Sequence, residues 1–257
     1  MTGDGNVCTV EFRVRFDEAG PDGLVRTSTL LRYAQDLAAH HSAERGFDRA
    51  WYAERGLAWL ARAAAVAVLA PITHGSVLTG ITRVVGERRV WARRRTDFHD
   101  AAGTLVAWTH VDWVLLDARG APTRIPPEFE GAFGTPKATF PLGRVDLGEV
   151  GADARTATFQ VRPQELDPMD HVNNAVYADW LDEAVIGAGD LAGVRAVPRL
   201  ARLEYARSAE PAATLSGVVW RGADGWAYRL SEADGPDLLR AHLSTVADPV
   251  DGVAPAD

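Results

Sequence analysis

Cysteine is almost missing from this chain. Cys8 is the only one in 257 residues, which excludes an intramolecular disulfide framework and cysteine-cluster metal sites and fits a reducing compartment. Lysine is equally scarce: Lys137 is the single lysine among 27 basic residues, a coding bias rather than a binding feature. No apolar run approaches the length that spans a bilayer, and Met1 to Val10 has neither a basic start nor an apolar core. Membrane insertion and secretion are therefore not expected, and a cytoplasmic location is. Positive charge is in deficit, with a formal net charge of −8, which disfavours nonspecific nucleic-acid binding. Also missing are a phosphate-binding glycine loop between strand and helix, a Gly-x-Ser-x-Gly elbow and histidines paired at zinc spacing. His40 and His41 are adjacent, so they point to different helix faces. No metal and no cofactor is expected.

What is present is an internal repeat. Shifting the chain by 147 positions without a gap sets Phe12 on Phe159, Val14 on Val161, Arg15 on Arg162, Glu18 on Glu165, Val25 on Val172 and Leu37 on Ala184. Each copy reads as a short extended segment, a loop, an amphipathic helix and several strands. The spacing of Leu30, Leu31, Ala34, Leu37, Ala38 and His41 predicts a helix from about Ser28 to Arg45, with Thr27 or Ser28 as cap and Gly46 as stop. Strands are predicted at Ala64 to Leu69, Thr79 to Gly86, Val90 to Phe98 and Leu105 to Asp117. In the second copy they are predicted at Leu200 to Ala206, Thr214 to Trp220, Trp226 to Glu232 and Leu238 to Ala247. Glycine and proline crowd the stretch between the copies. The expected division is a unit at 8–130, a connection at 131–153 and a second unit at 154–249.

The densest chemistry lies in Leu166-Asp167-Pro168-Met169-Asp170-His171-Val172-Asn173-Asn174. From Tyr177 the residues Trp180, Leu181, Ala184 and Ala188 continue at helical spacing, so the segment enters a helix that Asn173 or Asn174 caps. A helix start offers unpaired N–H groups and a positive dipole end, which suit a carbonyl oxygen that gains negative charge during attack. A carboxylate and an imidazole beside such an end suit acyl transfer. The same short polar residues also close turns and cap helices with no further role, and that reading stands beside the catalytic one.

Asp-x-x-x-His-Val-Asn-Asn-x-x-Tyr-x-x-Trp-Leu, from Asp167 to Leu181, resembles the active-site segment of plant and bacterial fatty acyl-ACP thioesterases of the hotdog superfamily. Gly56-Leu57-Ala58-Trp59-Leu60-Ala61-Arg62, Arg94-Arg95-Thr96-Asp97-Phe98 and Trp113-Val114-Leu115-Leu116-Asp117 resemble the N-terminal domain of that family. The resemblance implies an α+β double hotdog, two helix-wrapping antiparallel sheets joined into one continuous sheet, in a monomer or homodimer. It implies hydrolysis of an acyl thioester carried by acyl carrier protein or CoA. Asp167 would be base or nucleophile, His171 would orient water or supply a proton, and Asn173 and Asn174 would complete the catalytic set. The register sets Gly20 opposite Asp167 and Leu24 opposite His171, so the first copy cannot handle a proton. It would supply an apolar wall for the acyl chain through Trp59, Leu60, Trp108 and Trp113, with Met169 also on the substrate. The tryptophans equally suit ordinary core packing.

Three positions depart from the plant-type pattern. Met169 stands where the family has asparagine, and Ser208 and Ala209 stand where it has glutamate and cysteine. Two other readings follow: a hotdog dehydratase or hydratase acting on a phosphopantetheine-linked chain, or a noncatalytic carrier-binding protein. Last, Arg93 and Arg95 fall on one face of a strand and could steer an acidic acyl carrier protein, or could pair with Asp97, Asp100 or Asp112 on a solvated face.

Overall fold

The computed structural model describes residues 6–134, 140–232 and 235–245. Helix α1 (Thr27–Glu44) buries Leu30, Leu31, Ala34, Leu37 and His41 along one stripe, as their spacing requires. It ends where Gly46 turns to φ 86°, a conformation open to glycine at no steric cost. Helix α4 (Val176–Gly187) does the same in the second copy with Tyr177, Trp180, Leu181, Ala184 and Val185. Each helix lies on an antiparallel set of five strands. The first set is β1 (Val7–Arg13), β2 (Ala58–Val68), β3 (Val77–Arg88), β4 (Trp91–His99) and β5 (Leu105–Leu116). The second is β6 (Arg155–Gln160), β7 (Arg199–Tyr205), β8 (Thr214–Arg221), β9 (Gly225–Glu232) and β10 (Asp237–Ser244).

The two sets form one ten-stranded sheet in the order β1-β3-β4-β5-β2-β7-β10-β9-β8-β6. This is the α+β double hotdog that the resemblance implied. Its seam is the antiparallel pair β2–β7, registered from Ala63↔Glu204 to Val68↔Arg199. The repeat survives in detail. Two short 3-10 turns, Phe16–Glu18 and Pro163–Glu165, stand 147 positions apart. So do the bridges Ala19↔Val25 and Leu166↔Val172. The helices meet across the same offset, where Arg32 Nη2 donates to Asp179 Oδ2 at 2.9 Å.

The second copy's helix starts at Val176, two residues beyond the predicted start, and β2 starts at Ala58, six residues before the predicted strand. Three short helices had no counterpart in the expected elements: α2 (Arg49–Arg55), α3 (Pro127–Phe133) and α5 (Leu191–Arg195). Asp48 caps α2 by accepting from the Trp51 N–H at 2.9 Å. Seven residues are too few for periodicity to mark a helix. The last of them, α5, leads into β7. Among the described residues no helix is long and apolar enough to cross a membrane. Ala247, the limit of the second unit at 249, and Lys137 lie outside the described residues.

The connection crosses the sheet face opposite the two helices. Gly143 N donates to Asp112 Oδ2 and Val145 N to Glu204 Oε2, each at 3.0 Å, and Phe140 covers the Arg93 guanidinium. A Cβ on Gly143 would stand 2.7 Å from that of Ala63, so only glycine lets the connection lie this close to β2.

Asp182 of α4 sits beneath this architecture in an unfavourable setting. Burial pushes its carboxyl from 3.8 up to about 7, against the opposing pull of Arg199 and with a smaller push from Asp179. The folded chain thus holds a proton that the unfolded chain has released. The contribution of Asp182 to stability is full below about pH 4 and is lost as pH rises toward 7. Asp182→Asn removes this slope. The melting-temperature difference between variant and wild type should grow in the variant's favour from pH 4 to pH 7.5, as calorimetry would measure; a constant difference would refute the assignment.

Candidate active site

The turn before α4 is built by backbone bonds. Asp167 N donates to His171 O at 2.7 Å, and Asp170 N donates to Asp167 O at 2.9 Å. Asp167 then folds its own side chain over the turn, where Oδ1 accepts from Met169 N at 2.8 Å and more weakly from His171 N at 3.4 Å. Its second oxygen, Oδ2, has no protein hydrogen bond among the described residues. Asp170 adopts φ 60°, which an aspartate tolerates better than most residues. The first copy makes the same turn from Gly20 to Leu24, with Gly20 N donating to Leu24 O and Gly23 at φ 77° in the place of Asp170. One backbone therefore serves both copies; the first carries Gly20 and Leu24 where the second carries Asp167 and His171, and its own carboxylate, Asp22, accepts from Leu24 N and pairs with Arg195.

Asn173 is taken up by structure. Its Oδ1 accepts from Ala175 N at 3.0 Å, and its Nδ2 donates to Gln35 Oε1 of α1 at 3.2 Å. It is tied to the other unit's helix and lines neither of the cavities below. The Asn174 carbonyl accepts from Tyr205 OH at 3.0 Å, while its N–H has no partner among the described residues. Behind it, the Tyr177 hydroxyl accepts from Ala209 N at 2.9 Å. Burial raises the Tyr177 hydroxyl above its ordinary range, and the nearby Asp167 carboxylate raises it further, so it stays protonated.

Two cavities meet at Asp167. The larger, about 790 Å³, runs between α1 and the first-copy strands and is roofed by α2 and α3. Its aromatic roof is the cluster of Phe47, Trp51, Tyr52, Trp59, Phe129 and Phe133, in which Phe47 and Phe129 stack at 4.3 Å. The smaller, about 100 Å³, holds His171, Asn174, Tyr177, Tyr205 and Ser208, with Arg62 and Arg207 beside them. Gln35, Trp59, Trp113, Asp167 and Met169 line both, and Asp167 is the one titratable group they share. The gap between the cavities opens where β2 leaves β7. A bulge between Ala61 and Ala63 sets Arg62 outside the ladder, with its guanidinium donating to Ala206 O at 2.7 Å.

Trp59, Leu60, Met169 and Trp113 thus line these cavities, and Trp108 does not. Trp108 and Trp113 are five apart on β5, hence on opposite faces, and Trp108 packs with Ala67 and Leu200 beneath the outer face. Arg93 and Arg95 also require correction as carrier-binding residues. Arg93 forms a two-pronged pair with Asp112 at 2.6 and 2.8 Å and donates to Pro141 O. Arg95 is 8% exposed, pairs with Asp97 at 2.6 Å and donates to His110 Nε2. Both are committed to ion pairs, Arg93 against Phe140 and Pro141 of the connection and Arg95 over the Trp108 ring, and are not free to meet a partner. Burial and these arginines drive His110 down to about 3, so it stays neutral. Glu204 holds the connection and is absent from the cavity lining.

Gln35, Tyr177 and the α2–α3 roof were not anticipated. Gln35 had no signal in sequence, because its contact with Asn173 spans 138 positions. The donor atoms of Cys8, His40 and Glu44 lie within 4.8 Å of one another, the spacing a metal ion would need. His40 and Glu44 are an exposed i,i+4 pair, and burial with Glu44 pushes the Cys8 thiol up to about 11, away from the thiolate that binds metals.

Comparison with known proteins gives one consistent result. The family model for the acyl-ACP thioesterase N-terminal domain matches residues 5–132, and that for the acyl-ACP thioesterase C-terminal domain matches residues 149–207. A provisionally named oleoyl thioesterase from Lactobacillus plantarum superposes with a TM-score of 0.81 at 19% identity, covering 94% of this chain and 97% of its own. The 12:0-ACP thioesterase from Umbellularia californica superposes with a TM-score of 0.75 at 21% identity, over 93% and 96%. An uncharacterised Mycobacterium tuberculosis protein is 25% identical over 212 residues, 80% of this chain and 81% of its own.

Replacing Arg93 with alanine leaves Asp112 buried without its partner. Urea unfolding should register a loss of about 3–5 kcal/mol. Any fall in activity should be equal with carrier-protein and CoA substrates; a fall confined to the carrier protein would restore the steering role.

Proposed function

The chain belongs to the acyl-ACP thioesterase family and is a thioester hydrolase, and from that premise we propose how its residues divide the reaction. The observation that carries the reading is Asp167 at the junction of the two cavities. The acyl chain fills the 790 Å³ chamber, the thioester carbonyl lies at the junction, and the phosphopantetheine arm leaves through the smaller cleft. The same reading takes the chain as units 8–130 and 154–249 joined by 131–153.

Asp167 acts through Oδ2, the oxygen not committed to the turn, either removing a proton from water or attacking the carbonyl itself. The backbone N–H of Asn174, at the start of α4, donates to the oxyanion, and the helix dipole adds to it. When the C–S bond breaks, the thiolate takes a proton from His171, which lines the smaller cleft. Asn173 is a positioning residue: through Gln35 it fixes the catalytic turn against α1. Met169 offers a backbone N–H to Asp167, and its exposed thioether borders both cavities. That N–H does not depend on the side chain, so methionine suffices where plant-type members carry asparagine.

The thiol carrier is an acyl carrier protein. Arg62 and Arg207 line the smaller cleft and Arg49 borders the chamber. These are the basic groups that an acidic carrier would meet at the junction, in place of Arg93 and Arg95.

The deciding measurement is free-thiol release from acyl carrier protein and CoA thioesters. Asp167→Asn keeps an oxygen for the turn and removes the base, so release should fall by about 10²–10⁴-fold with the melting temperature preserved. Unchanged release would sink the assignment, and an altered acyl group with the thioester intact would point to dehydration. Arg207→Glu should raise KM for the carrier substrate and leave that for CoA unaltered.

A further inference from the structure

Arg94 stands apart from the other charged groups that line the acyl chamber, Asp36, Asp48, Arg49, Glu87 and Asp167. Arg93, Arg94 and Arg95 are consecutive on β4, so alternation sends Arg93 and Arg95 to the outer face and Arg94 inward. The outer two find carboxylates. Arg94 does not: among the described residues no carboxylate pairs with it, and of the acids lining the chamber, Asp36, Asp48, Glu87 and Asp167, none makes an ion pair with it. Its Nη1 lies 2.9 Å from His41 Nδ1, and its guanidinium carbon lies 5.7 Å from the centre of the Phe133 ring. Since an arginine can only donate, His41 Nδ1 accepts, and the ring adds no negative charge. Burial lowers Arg94 to about 10, which leaves it protonated at neutral pH.

A guanidinium has five N–H donors, and the His41 ring takes one. A plain alkyl chain filling the chamber would strip water from the remaining donors and return nothing, which is the costly arrangement for a buried charge. An oxygen acceptor on the acyl chain would instead form a charge-assisted hydrogen bond. The same wall carries further polar atoms, since Ser42 Oγ and Tyr52 OH stand 2.9 Å apart and Trp59 Nε1 donates to Tyr52 OH at 3.1 Å. The distance follows from α1. Gln35 marks the Asp167 end and His41 the Arg94 end, and six residues of helix rise about 9 Å.

We propose that the chamber selects acyl groups bearing an oxygen acceptor, a carboxylate above all, on the order of 9 Å from the thioester carbonyl, with Arg94 as the residue that recognises it. This rests on the reading of the chamber as the acyl site. It makes the enzyme one that releases an oxygenated acid in preference to a simple fatty acid, so a reaction that oxidises or extends the chain with an oxygen function must precede it.

The test uses pairs of CoA derivatives of equal chain length, one plain and one ω-carboxylated, in two forms. Thioesters report hydrolysis through free thiol, and the matching S-alkyl thioethers, which cannot be hydrolysed, report binding by calorimetry. The wild type should bind and turn over the ω-carboxylated member at least tenfold better at the best length. Arg94→Met should invert the order, and Arg94→Lys should keep part of the preference. If the plain member binds as tightly or more tightly at every length, the inference is overturned. If neither thioester releases thiol, the thioether ranking alone decides the inference, and the catalytic reading fails separately. Should Arg94→Met not fold, the wild-type ranking by itself supports or overturns the inference.

Discussion

The pairing of β2 with β7 is the constraint on which the rest of the molecule depends. It converts two five-stranded sets into one sheet and brings α1 and α4 side by side on the same face, where Arg32 and Asp179 meet. Because of that neighbourhood, Gln35 of the first copy reaches Asn173 of the second, and the turn from Asp167 to Asn174 is held against a cavity that its own copy does not build. The seam also sets where the site opens. Pairing with β7 runs to Ala63, the bulge at Arg62 turns β2 away, and both cavities are lined by the stretch beyond it, from Ala58 to Arg62.

Charge is distributed by the same geometry. Alternation along β4 gives two arginines to the outer face, where aspartates and the connection neutralise and cover them, and one to the inner face, where a histidine ring and aromatic carbon surround it. Three residues of one type, adjacent in sequence, thus occupy unlike electrostatic environments. Burial by itself explains none of this; what separates them is whether a carboxylate shares their face of the sheet, Asp112 across the strands for Arg93 and Asp97 two residues along the same strand for Arg95.

Much of this was legible in the residues. The 147-residue register is a sequence observation that the structure repeats in turns, bridges and helix contacts. The strands and α1 followed from periodicity, with ends displaced by a few residues, and the turn from Asp167 to Asn174 stood out by its density of polar groups. The rest needed tertiary information. Alternation put Arg93 and Arg95 on one face without saying that the connection would bury that face. Trp108 and Trp113 looked equivalent as apolar residues of one strand, and only the side on which the helices lie distinguishes core from cavity. Helices α2 and α3 are too short for a periodic signal, although Asp48 and Gly56 at the two ends of α2 form a readable pair of caps.

The two turns also differ in what they ask of the backbone. Glycine occupies the positive-φ position in the first copy and aspartate occupies it in the second, with the same hydrogen-bonded frame around both. A change of Asp170 toward glycine relieves that backbone conformation, at some cost in the entropy of the unfolded chain. The asymmetry between the copies is therefore one of side chains on a shared frame, Gly20, Gly23 and Leu24 in the first turn against Asp167, Asp170 and His171 in the second.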